Sequence, residues 1–173
     1  MLRDWIMRRA ARTPYWHLDG YMSRYWLFGG SYRDDRATAE RDWKGSRLDR
    51  WIGRWVAARV HHIHRSDDDR HLHDHPFWSI SIVLQGGYYE VLPDRQGQHP
   101  HYDDLCAYSR WVSPGKIVFR RGTDRHRLLL PENQGPTVSL FIMGPKTNEW
   151  GFYTDRGKVH WREYLGLDSS GTS

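Results

Sequence analysis

Residues 71–78 read His71-Leu72-His73-Asp74-His75-Pro76-Phe77-Trp78. On an extended strand alternate residues share a face, so His71, His73 and His75 project the same way. Three imidazoles on one face make poor core material, because each brings ring nitrogens that need partners. They make good ligands for first-row metals, since neutral imidazole suits iron, copper, nickel and zinc. A further histidine from a distant strand gives a site with open positions, as a catalytic metal requires.

Outward from this segment the chain reads as β-structure. Residues 55–65 alternate loosely and stop at Ser66-Asp67-Asp68-Asp69. Residues 79–85 are a β-branched and aliphatic run followed by Gly86-Gly87 and then residues 88–92. This predicts a hairpin, since glycine supplies the positive φ that such turns demand. Pro114-Gly115 marks a turn before residues 116–119, and residues 125–130 and 137–143 read as further strands. A last hairpin joins residues 150–154 to 158–161 through Asp155-Arg156-Gly157. Many short strands with regular punctuation predict an all-β sandwich or barrel.

The N-terminal third differs. Residues 2–12 fit a short amphipathic helix with Leu2, Trp5 and Ile6 on one side. Residues 14–32 carry Tyr15, Trp16, Tyr21, Tyr25, Trp26 and Phe28 and read as an extended arm packed on the domain. Residues 33–46 are highly charged and read as a loop or fraying helix. The expected organisation is an arm over 1–54, a barrel over 55–167 and a loose polar tail over 168–173.

Composition narrows the function. The chain of 173 residues is the size of one domain, and its 10 Trp and 10 Tyr supply large apolar areas despite a hydrophobic fraction of 38%. No apolar run approaches a bilayer span and no secretory leader is evident, so a membrane role is not expected and a cytoplasmic setting is. Cys106 is the one cysteine, which excludes an internal disulfide and a cysteine-rich metal site. It reads as a small buried residue. Of 26 basic residues only Lys44, Lys116, Lys146 and Lys158 are lysine, and arginine suits carboxylate or phosphate recognition. Neither a basic stripe nor a nucleic-acid module is present, so nucleic acid is not an expected partner.

The histidine segment resembles the first motif of the cupin superfamily, G-x5-H-x-H-x3,4-E-x6-G. His73, His75 and Gly86 stand at its spacing, with Pro76 directly after the second histidine. Gly115 and His126 align with the first glycine and the histidine of the second motif, G-x5-P-x-G-x2-H-x3-N. The resemblance spans roughly residues 60–145. It implies a double-stranded β-helix, or jelly-roll, barrel holding one divalent metal on His73, His75 and His126, with His71 a candidate fourth ligand. The departures are Asp67 for the opening glycine, Ser79 for the glutamate ligand, and Arg121, Thr123 and Leu130 in the second motif. Without that glutamate, the resemblance implies either a three-histidine site, as in thiol dioxygenases and some diketone-cleaving cupins, or a metal site that has been lost.

Three neutral ligands leave a metal strongly positive and favour a small anionic partner. Iron(II) is the favoured ion, with zinc, nickel or manganese as alternatives. Arg120 shares parity with His126 and is the candidate clamp for a substrate carboxylate or phosphate. Tyr88 is a candidate pocket wall. His62 and His64 share a face and are candidates to line the same cavity, with surface exposure the simpler role. The leading expectation is a metal-dependent dioxygenase of a small organic anion. A metal-independent sugar or sugar-nucleotide isomerase or epimerase, and a non-catalytic ligand- or partner-binding cupin, are the alternatives. The resemblance also implies a homodimer.

Overall fold

The computed structural model describes residues 2–11, 14–18, 20–29, 46–67, 71–99 and 107–166. In chain order the elements are α1 (Leu2–Ala10), β1 (Pro14–Leu18), β2 (Met22–Phe28), α2 (Arg47–Ile52), β3 (Ala57–Ile63), β4 (Leu72–His73), β5 (Ser79–Gln85) and β6 (Tyr88–Val91). They continue with β7 (Ser109–Val112), β8 (Ile117–Arg120), β9 (Arg127–Leu129), β10 (Thr137–Met143), β11 (Gly151–Thr154), β12 (Gly157–His160) and α3 (Trp161–Tyr164).

Two antiparallel walls face each other. The first runs β1-β2-β3-β10-β5-β8. The second combines β12-β11-β4 with β7-β6-β9, joined where His73 and His126 exchange both backbone hydrogen bonds at 3.0 Å. The core closes between the walls through Ile63, Val83 and Val118 on one side and Tyr88, Val112 and Leu128 on the other. Burying apolar side chains of this size stabilises the fold by roughly 1.5–3 kcal/mol each. The architecture is an all-β jelly-roll barrel, because from β3 to β11 the chain crosses between walls at every connection except β6 to β7.

That crossing corrects the hairpin expected at Gly86-Gly87. β5 pairs with β8 and β10, whereas β6 pairs with β7 and β9. The glycines carry the chain from one wall to the other, with φ of 75° and 155°. Thr137 holds the crossing, its hydroxyl donating to Gly87 O at 2.6 Å and accepting from Gly87 N at 3.1 Å. The expected β11–β12 hairpin does form, from Gly151 opposite His160 to Thr154 opposite Gly157.

The N-terminal segment is built into the first wall, since β2 pairs with β3 along its length. α1 covers the outer face of that wall, burying Ile6 and Ala10 against Val60 and Val138, while Leu2 and Trp5 face solvent. The short α2 starts at a capping box in which Ser46 and Asp49 bond reciprocally. Residues 33–45, 68–70, 100–106 and 167–173, including Cys106, lie outside the described residues. Among the described residues no helix is long and apolar enough to cross a membrane.

Candidate metal centre

The antiparallel bridge between His73 and His126 brings two segments of the second wall together at the level of the imidazoles. His73 ends β4, and His75 follows it with its backbone N–H donating to Gly122 O at 3.0 Å. Ring nitrogens of His73, His75 and His126 all lie within 4.8 Å of one another. Nε2 of His75 and Nε2 of His126 are 2.8 Å apart. Among the described residues no other histidine, cysteine or carboxylate joins this group.

Carboxylates stand behind the imidazoles. Glu90, fully buried on β6, places Oε1 3.0 Å from Nδ1 of His126. Oδ2 of Asp67, also buried, lies 3.9 Å from Nδ1 of His73 and accepts the backbone N–H of Leu128 at 2.7 Å. A carboxylate at that distance favours the His126 tautomer that carries its proton on Nδ1, towards Glu90, and its lone pair on Nε2.

Glu90 is itself held by two arginines. Arg120 Nε donates to Oε1 at 2.6 Å, and Arg110 donates to Oε2 from Nε at 2.8 Å with Nη2 at 2.7 Å. Burial raises the Glu90 pKa, but the contacts with His126, Arg120 and Arg110 outweigh it and hold the carboxyl ionised, below its ordinary range. His75 is pushed well below the ordinary imidazole value, first by burial and then by His126, His73 and Arg120. His126 is lowered to about 4 by burial and Arg120, against the pull of Glu90. Three imidazoles whose ring nitrogens converge within 4.8 Å are the donor set a divalent transition metal takes, so the residues present fit such an ion.

The other candidates fall in different places. His71 stands apart from the cluster: its Nδ1 lies 2.9 Å from Oη of Tyr164, against which its ring packs edge-on. It precedes the two-residue β4, so strand alternation does not extend back to it. Arg120 does point inward and is buried, but its guanidinium is engaged by Glu90, with Oη of Tyr88 at 3.4 Å from Nη2. Tyr88 is a core residue between the walls. Ser79 lies on the inner face of β5, fully buried, with its hydroxyl unpartnered.

Of the preceding histidines it is His61 that faces inward, opposite Ser139, not His62 or His64. His62 contacts Tyr25, and Nε2 of His64 lies 2.9 Å from Oγ of Ser23. A cavity of about 450 Å³ opens on the Glu90 side of His126, bounded by Arg110, Arg120, Asp124 and Arg125. It touches His126 but not His73 or His75. On the other side the cluster is walled by aromatic rings: Phe77 and Phe141 against His75, Trp150 and Phe152 against His73.

No protein-family model matches this chain, and no curated protein matches it in sequence. Solved structures do. A single-substitution variant of Bacillus subtilis oxalate decarboxylase superposes with a TM-score of 0.53 at 9% identity, over 90% of this chain and 32% of that one. KdgF from Halomonas sp. gives 0.46 at 12% identity, over 78% of this chain and 89% of its own. The DMSP lyase DddQ from Ruegeria pomeroyi gives 0.38 at 21%, over 53% and 39%. The chain thus spans about a third of the decarboxylase and well under half of the lyase. The protein has the cupin fold. Among the described residues it carries a cluster of three histidines that could hold a metal.

Proposed function

We propose that this cupin holds one divalent transition metal, iron(II) foremost, on His73, His75 and His126, and acts as a dioxygenase of a small organic anion. The observation that supports this most is the convergence of three ring nitrogens within 4.8 Å, with the nearby carboxylates on the far sides of the imidazoles. Three neutral ligands leave the charge of the ion uncompensated, which favours an anionic partner at its open positions. When bound, an iron(II) ion in such a site supplies dioxygen binding and electrophilic activation. The chain's own part is to hold and orient the ligands. Glu90 orients the His126 imidazole, and Phe77, Phe141, Trp150 and Phe152 pack against the cluster.

Oxygen uptake by iron-loaded protein, screened over thiol, enol and carboxylate compounds, tests the reading. Uptake with one compound class, abolished in a His126→Ala variant, is the expected result. A metal-free isomerase would instead keep its activity after chelation. A non-catalytic cupin would bind a ligand without turning it over, a reading favoured by Ser79 standing where a fourth, carboxylate ligand is usual in the superfamily it resembles.

A further inference from the structure

His61 is accounted for neither by the metal cluster nor by core packing. It lies on the inner face of β3, is 8% exposed, and its Nε2 is buried without a hydrogen-bond partner. Its ring stacks on Phe141 at 4.8 Å, and the same phenyl ring lies 6.1 Å from His75. One aromatic side chain therefore links His61 to the cluster. The same inner face carries a second unpartnered buried atom, the hydroxyl of Ser79 on β5. Buried polar atoms in folded proteins are almost always satisfied, so two bare ones on the wall opposite the histidines call for an absent partner.

Charge says what that partner is. Arg59, Phe77, Phe141, His73 and His75 are each only partly buried. Arg59 is two residues from His61 on the same face, with its guanidinium 4.2 Å from the Trp26 ring centroid. Arg24 stands opposite His61 in the β2–β3 pairing. An imidazole beside two cations on an aromatic wall is suited to donate to an anionic oxygen.

We propose that His61 is a substrate-binding residue: its Nε2–H donates to an oxygen of a small organic dianion whose other end reaches the metal. The metal end of this arrangement rests on the reading given under Proposed function; the His61 end does not.

The test uses cobalt-loaded protein titrated with oxalate and with succinate, two dicarboxylates of different length, followed by the visible bands of the ion. His61→Leu should bind cobalt as the wild type does but hold at least one dicarboxylate about tenfold more weakly. His61→Gln, which retains a donor, should stay within about threefold. Wild-type dissociation constants for both probes in His61→Leu overturn the proposal. If the wild-type chain takes up no cobalt, the metal reading alone fails. His61 is then decided in metal-free protein by the 15N resonance of its imidazole, which must shift saturably with a dicarboxylate; a flat resonance overturns it, and the same resonance serves if His61→Leu does not fold.

Discussion

Nε2 of His75 and Nε2 of His126 approach to 2.8 Å although the residues are 51 positions apart in sequence. The approach follows from the backbone. The reciprocal hydrogen bonds between His73 and His126 fix the register of the two segments, and the bond from His75 N–H to Gly122 O extends it. Only one proton fits between two facing ring nitrogens, so in the metal-free protein one imidazole must accept while the other donates.

This geometry makes metal-free protein acid-sensitive. The folded-state pKa of His126 is lowered to about 4 and that of His75 lies well below its ordinary value, so the unfolded chain binds protons that the folded chain refuses. The corresponding stability is complete above about pH 6.5 and is lost as pH falls towards 4, on the order of 3 kcal/mol for His126 alone. Glu90, whose pKa is depressed, adds a further loss below the ordinary carboxylate range. Urea midpoints measured at pH 7.5, 6 and 5 should fall steadily, and a constant midpoint would contradict the assignment.

Glu90→Gln removes the charge that orients His126 and leaves Arg120 buried without its counter-ion. Metal affinity should fall about 10- to 100-fold. Stability should fall by roughly 3–5 kcal/mol, as for other broken buried pairs. Competition with a chromophoric chelator measures the first and chemical denaturation the second.

His71→Phe should leave metal content unchanged, because His71 serves Tyr164 and not the cluster. Losing that partly buried hydrogen bond should cost about 1 kcal/mol. Metal analysis beside a thermal melt separates this outcome from a fourth-ligand role, in which the ion would be lost.

His61→Leu should melt about 2–4 °C higher than the wild type, since it removes a buried nitrogen that lacks a partner in the ligand-free protein. A lower melting temperature would mean that Nε2 is satisfied in solution.

Much of this was legible in the sequence, for reasons that can be stated. The pair His73 and His75, with the spacing to Gly86 and His126, carried the barrel resemblance, whereas the strand alternation that placed His71 beside them fails because β4 is only Leu72–His73. The Gly86-Gly87 turn was misread because local turn chemistry does not distinguish a hairpin from a crossing between walls; that depends on pairings such as Ser81 with Phe141. Glu90 went unnoticed, although Tyr88-Tyr89-Glu90-Val91 puts it in phase with the inward Tyr88. An acid on the inward face of an otherwise apolar strand is the signal that would have found it. His61 was passed over because the parity of His61, His62 and His64 fixes which residues share a face but not which face points inward.

Metal content tests the central claim most directly. Freshly purified protein and a His73→Ala/His75→Ala variant should be compared by elemental analysis, before and after reconstitution with iron, zinc, nickel and manganese. About one transition-metal ion per chain in the wild type, and none in the variant, is the predicted result. An absence of metal from both after reconstitution would contradict the account.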